Sequence, residues 1–220
     1  NLKVFSISQL GKAYLKEKTN FENVQVSRLG TKALKKNILN TINKKRIVSC
    51  SNVIPLKRIR LIIESLELLA HLNIEWIHFG DGPLLNELKL LAKEKSLNAL
   101  FKGNVSNTEI LNFLQNEPID LFINLSSTEG IPVSIMEAFS CGIPAIATNV
   151  GGTSELVNKT NGILLSSNPS AKCVAKEIEK FFNLNEKEIE SKRSIAFETW
   201  NNKFNAEKNY SEFAEIISNL

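Results

Sequence analysis

The sequence predicts an α/β fold, a parallel sheet with helices on both faces followed by a helical tail, and three observations carry that prediction. From residue 46 onward short apolar runs alternate with amphipathic stretches, the order in which strand–helix–strand crossovers are built. The run through Ile119, Leu121, Phe122, Ile123 and Leu125 is continuously apolar, as a strand buried on both faces requires. Glycine and proline mark the places where strands hand over to helices, at Gly80, Gly82, Gly130, Pro132, Gly151 and Gly152.

Taken in order, residues 3–8 read as a strand and residues 9–18 as a helix with Leu10 and Tyr14 on one side, but this opening piece shows no obvious partner strand. Residues 31–46 are polar and lysine-rich without a sustained apolar period, and read as a linker or exposed loop near a domain boundary. A strand over 46–51 feeds a helix opened by Pro55, whose Ile59, Ile62, Ile63, Leu66 and Leu69 recur at three and four residues. Residues 74–80 are the next strand, followed by a helix carrying Leu84, Leu85, Leu88, Leu91 and Ala92; residues 99–103 and 107–115 repeat the pattern. The stretch 117–153 then runs strand, polar turn, helix over 132–140, strand and glycine pair. Residues 161–165 supply a last strand. Beyond it lie an amphipathic helix through Ala171, Val174, Ala175, Ile178 and Phe181, a polar helix over 186–199, and a final helix. Trp200, Phe204, Tyr210, Phe213 and Ile217 run through that last helix at a wide spacing that suggests packing against something large.

With 220 residues, 43% of them apolar, the chain is long enough for a core without metal or disulfide staples. No stretch approaches the roughly 20 apolar residues of a membrane helix, so the chain reads as soluble and intracellular. Cys50, Cys141 and Cys173 are odd in number and sit in apolar contexts, which favours structural thiols in a reducing compartment. Charge is unevenly spread: residues 1–60 carry fourteen Lys and Arg against two Glu. Such a surface can attract phosphates or anionic lipid, but without interleaved aromatics it does not suit nucleic acid. His71 and His78 are not patterned as a metal pair and read as structural.

Loops at the carboxyl ends of the strands are the candidate site. Gly80 and Gly82 follow the second strand of the regular part, where a missing Cβ lets a ligand approach the backbone, although a plain tight turn explains them nearly as well. Gly130, Ile131, Pro132 and Val133 lead into a helix whose free N–H groups would hold a phosphate. Glu129, before that helix, can accept from a sugar hydroxyl, and Glu137, inside it, can chelate a vicinal diol such as ribose. The competing readings are a helix-dipole partner for Glu129 and an exposed helix acid for Glu137. Lys57 and Arg58 lie at the same edge, where solvated helix-start charge is the alternative.

EGIPVSIMEAFSCGIPAIATNVGGTSELV (129–157), IVSCSNVIPLKRIRLIIESL (47–66) and WIHFGDGPL (76–84) together resemble the family 4 retaining glycosyltransferases. That resemblance implies a Rossmann-like domain forming the C-terminal half of a GT-B fold. It implies that Glu137 binds the nucleotide ribose, that Glu129 contacts the donor sugar, and that the amides from Gly130 to Val133, with Lys57, hold the diphosphate. Many members carry arginine where this chain has Asn52; either Arg58 next to the lysine substitutes, or the leaving diphosphate is held less tightly.

The layout implied is an end of an N-terminal acceptor domain over 1–30, a linker over 31–45, the nucleotide-sugar-binding domain over 46–200, and a helix over 201–220 that packs back toward a missing N-terminal domain. The implied donor is a UDP-sugar or GDP-sugar. The implied acceptor is a glycan or lipid-linked glycan. No metal is required, because the cations and the helix amino end take that role. The implied location is cytoplasmic, with room for peripheral contact at the inner membrane face. An epimerase of related architecture and a basic nucleotide-binding or membrane-surface module without turnover are the alternatives.

Overall fold

A computed structural model describes residues 2–38 and 44–219. A small unit comes first: β1 (Val4–Ser6), α1 (Gln9–Lys18) and β2 (Val24–Val26). The two strands pair in parallel, Val4 opposite Val24, so the opening strand finds its partner across α1. Ser8 caps α1 by accepting the Gly11 N–H at 2.9 Å.

The regular part then runs β3 (Lys45–Cys50), α2 (Ile59–Glu67), β4 (Ile74–Phe79), α3 (Leu85–Glu94), β5 (Ala99–Gly103), α4 (Asn107–Asn116), β6 (Leu121–Asn124), α5 (Val133–Ser140), β7 (Ala145–Thr148), α6 (Thr153–Leu156), β8 (Gly162–Leu165) and α7 (Ala171–Phe182). Six strands form one sheet in the order β5-β4-β3-β6-β7-β8, and every pairing in it is parallel. The winding reverses between β3 and β6. Loops leaving those two strands therefore diverge and open a crevice at the carboxyl edge.

Burial explains the register. Ile47 and Val48 are both fully buried yet serve opposite layers, because successive strand side chains alternate faces. Val48 and Phe122 join Ile135, Phe139 and Trp200 on one face; Ile47 and Ile123 join Ile63, Leu88, Ile178 and Phe181 on the other. Each such side chain removed from water contributes about 1.5–3 kcal/mol. A one-residue slip of a central strand would exchange its two layers, so the edge that carries the loops is tightly specified.

Four expectations change. Pro55 opens only a 3₁₀ turn (Pro55–Lys57); the helix begins at Ile59 because Arg58 adopts left-handed backbone with φ 48°. The break between the last two helices falls later than expected, so the aromatics are divided between them: α8 (Glu186–Lys203) runs on through Trp200 to end at Phe204, and α9 (Ala206–Ser218) restarts from Asn205, whose side chain accepts the Glu207 N–H. Trp200 and Phe204 accordingly sit at 1% and 0% exposure in the core against α5, while Phe213 of α9 meets Phe5 edge-on with ring centroids 5.2 Å apart.

The third change concerns the presumed exposed linker. Asn37 is buried, donates to the carbonyls of Leu114 and Glu117, and accepts from the Ile119 N–H and from Arg193. Arg193 in turn reaches the Ile119 and Asn37 carbonyls from α8. A buried guanidinium needs such partners, so this part of the linker is clamped to the domain; residues 39–43 of that reading lie outside the described residues. Cys173, expected in an apolar context, is exposed, and all three cysteines are free. No helix among the described residues is long and apolar enough to cross a membrane.

Candidate functional site

The crevice at the β3/β6 reversal brings together residues seventy positions apart. Lys57, at the end of the 3₁₀ turn after β3, places Nζ 2.6 Å from Oε1 of Glu129 in the loop after β6. Both side chains are mostly buried, at 22% and 12% exposure. Asn124 at the tip of β6 donates Nδ2 to the same carboxylate oxygen at 3.1 Å, and its Oδ1 accepts the Ser126 N–H. Glu129 is thus held by a cation and an amide, rather than by the helix dipole.

The amino end of α5 opens beside this pair. Pro132 is its N-cap, with no side-chain cap. Ile135 and Met136 close onto the Pro132 carbonyl, and among the described residues the Val133 and Ser134 N–H groups find no intramolecular partner. Such orphan donors, at the positive end of a helix, are suited to an anion. Gly130 precedes them, and a Cβ built on it would meet no protein atom within 4 Å. Space in front of the helix is therefore left open.

Glu137, one turn into α5, is 9% exposed and so is no ordinary surface acid. Its Oε1 accepts from Asn107 Nδ2, at the start of α4, at 2.9 Å. Burial pushes its carboxyl up from the usual range, and the Asn107 hydrogen bond pulls it partly back. Cys50, at the end of β3, is pushed up to about 11 by burial first and by the Glu137 charge second, so it stays a neutral thiol beneath the carboxylate.

The remaining expected site residues fall into place differently. At Gly80 and Gly82 the space a Cβ would need is taken by protein: it would strike the Ser51 carbonyl oxygen at 1.9 Å and the Val53 carbonyl oxygen at 2.5 Å. These glycines let the β3 and β4 loops touch, as the tight-turn alternative has it. Arg58 is committed to the fold, donating to the Ser126 and Ser167 carbonyls at 2.7 and 2.8 Å and to Asn168 at 3.1 Å. It ties the β6 loop to the β8 loop. Asn52 is exposed on the β3 loop. Gly151, with φ 52°, packs so closely that a Cβ would lie 1.8 Å from the Glu129 carbonyl oxygen, and the Gly152 N–H donates to the Gly130 carbonyl at 2.6 Å. The glycine pair is the backing of the Glu129 loop.

Asn124 and Asn107 were not foreseen. An asparagine closing an apolar strand and one following a helix-capping serine are readable as local turn chemistry, and nothing in the spacing links either to a glutamate. His78 is buried with its imidazole held near a pKa of about 4 by desolvation, bonded through Nδ1 to Ser49 Oγ at 2.8 Å. His71 lies on the surface beside Glu179. Neither belongs to the crevice.

Open helix donors, a paired lysine and glutamate and a buried second glutamate gather at the reversal of the doubly wound sheet of a Rossmann-like domain, a chemistry suited to an anionic, hydroxyl-rich ligand. The chain belongs to the glycosyl transferases group 1, whose family model matches residues 31–195. It is 39% identical over 89 residues to Protein CapJ of Staphylococcus aureus, covering 40% of this chain and 22% of that protein. It is 34% identical over 96 residues to an Escherichia coli UDP-Gal:alpha-D-GlcNAc-diphosphoundecaprenol alpha-1,3-galactosyltransferase, covering 40% of this chain and 23% of that one. The fold matches Anabaena Alr3699/HepE in complex with UDP at a TM-score of 0.84 and 22% identity, over 99% of this chain and 64% of that chain. The chain thus spans only part of the length of these proteins.

Proposed function

We propose that this chain is the donor-binding part of a glycosyltransferase that moves a sugar from a nucleoside-diphosphate sugar to a glycan or lipid-linked glycan. The observation that carries this reading is the convergence of Lys57, Glu129 and the open amino end of α5 on one crevice. In the proposal the diphosphate lies against the open Val133 and Ser134 N–H groups beside Gly130, and Lys57 turns from Glu129 to meet it. Glu129, released from that pair, accepts from the donor sugar, and Glu137 accepts from the ribose diol. Positive charge placed where the departing diphosphate gathers negative charge stabilises the transition state more than the ground state. The anomeric carbon becomes oxocarbenium-like as its bond to the diphosphate oxygen breaks and the acceptor hydroxyl oxygen bonds to it, the hydroxyl proton passing to the departing diphosphate.

Retention at that carbon and independence from metal belong to the same proposal, as do an acceptor-binding domain outside this chain, cytoplasmic location and peripheral contact with an anionic membrane. UDP bound to the HepE fold relative supports a uridine donor over a guanosine one. Calorimetry with UDP, GDP and ADP, each with and without EDTA, tests the reading. One of the three is expected to bind, unaffected by EDTA. Glu137→Ala is expected to weaken it roughly ten- to a hundredfold, as loss of a charged hydrogen bond of about 1.5–3 kcal/mol requires. Unchanged affinity in that variant refutes the ribose assignment.

A further inference from the structure

We propose that Asn107 is a positioning residue for Glu137: its side-chain amide holds Oε1 of the buried carboxylate, so that Oε2 is the oxygen presented to the vicinal diol of a bound nucleotide. The inference rests on the reading of Glu137 given above and goes one residue further.

The local sequence Ser106-Asn107-Thr108-Glu109 builds this device. Ser106 Oγ accepts the Glu109 N–H at 3.2 Å, and the Glu109 carboxylate returns to the Ser106 N–H at 3.0 Å, a reciprocal capping box. Backbone at the start of α4 is thereby fixed without help from the Asn107 side chain. That side chain is free to point across to α5, where its Nδ2 meets Glu137 Oε1 at 2.9 Å. It is the side-chain donor that reaches this carboxylate among the described residues. Asn107 itself is exposed, so the bond offers the fold little, while a carboxylate at 9% exposure without a donor would lie in either of two rotations or take up a proton. A groove of about 970 Å³ opens at this contact, lined by Asn107, Glu137, Thr31, Lys32, Glu207 and Tyr210 among others.

Charge around Glu137 allows the pH response to be derived. Cys50 from β3 and Cys141 after α5 are neutral thiols with values of about 11 and 12. Arg193 of α8 lies beyond Cys141, and Lys32, Glu207 and Tyr210 face the groove; neither histidine lines it. Burial raises the Glu137 carboxyl and the Asn107 amide lowers it. Binding that needs the carboxylate is therefore lost as pH falls through that raised value. Without the amide the loss begins at higher pH.

The test compares UDP with 2′-deoxy-UDP by calorimetry between pH 5 and 8, on the chain as it stands and on Asn107→Ala, Asn107→Asp and Glu137→Ala. Asn107→Ala is expected to bind UDP about tenfold more weakly at neutral pH, to prefer UDP over 2′-deoxy-UDP less than the parent does, and to lose affinity at higher pH. Asn107→Asp puts an acid at the first position of a helix, where it favours folding, yet sets like charge against Glu137. It is expected to melt at or near the parent temperature and to bind worst. Parent-like affinity, ribose preference and pH profile in both Asn107 variants, with all three lost in Glu137→Ala, overturns the positioning role alone. Parent-like UDP binding by Glu137→Ala overturns the ribose reading and this inference with it.

Discussion

Replacing Gly130 by alanine asks whether the open space before α5 is ligand space. A Cβ at this position meets no protein atom within 4 Å, and its φ lies outside the left-handed region. The folded chain has no reason to resist the substitution, and the unfolded chain loses freedom, so stability should hold or rise by about 0.4–1 kcal/mol. Binding should respond in the opposite sense. A methyl group in front of the Val133 and Ser134 amides lifts a phosphate off at least one of them, and a charge-assisted hydrogen bond is worth about 1.5–3 kcal/mol, roughly ten- to a hundredfold in affinity. Gly151→Ala is the control, because its φ is 52° and its Cβ would fall 1.8 Å from the Glu129 carbonyl oxygen. That variant should lose at least about 2 kcal/mol of stability through left-handed strain and displacement of the loop. Urea titration reads the stability and UDP calorimetry the affinity. A stable Gly130→Ala that binds UDP as the parent does refutes the placement of the diphosphate.

Other perturbations probe the frame around the site. Asn37→Ala strips the Leu114 and Glu117 carbonyls of a donor and leaves the buried Arg193 guanidinium short of an acceptor; a loss of about 3 kcal/mol in urea melts is expected, and a loss under 0.5 kcal/mol would show that the clamp is idle. Arg58→Ala should loosen the tie between the β6 and β8 loops at a cost of about 1–3 kcal/mol, visible as faster amide exchange in residues 126–128 and 166–168; unchanged exchange there counts against the tie. His78 titrates near 4 when folded and near 6.5 when unfolded. Between those values the unfolded chain binds the extra proton, so stability present above pH 6.5 should fall by up to about 3 kcal/mol on acidification to pH 4. His78→Gln should flatten that part of the profile.

Much of the fold was legible in the sequence because its signals are local. A three-to-four-residue apolar period marks α2 and α3, a continuous apolar run marks β6, and Ser106 with Glu109 spells a helix start within four residues. Where reading failed, the deciding contact came from far along the chain. Trp200 and Phe204 lie at the end of α8 because Asn205 restarts the helix and the core beneath α5 takes the aromatics. Asn37 looked like linker because nothing in residues 31–38 announces an arginine on α8.

The candidate site divides along the same line. The sequence by itself determined the parallel α/β class, the helix amino end at Pro132 and the presence of two glutamates around it, since each follows from residue type and short-range period. Only the tertiary structure decided that Lys57 meets Glu129, that Asn107 meets Glu137, that Arg58 is spent on the Ser126 and Ser167 carbonyls, and that Gly80 and Gly82 serve neighbouring loops. The physical reason is strand order. β3 and β6 are adjacent in space but separated in sequence by two strand–helix units. Which side chains their loops bring within 3 Å depends on how both faces of the sheet are packed, and no local pattern records that.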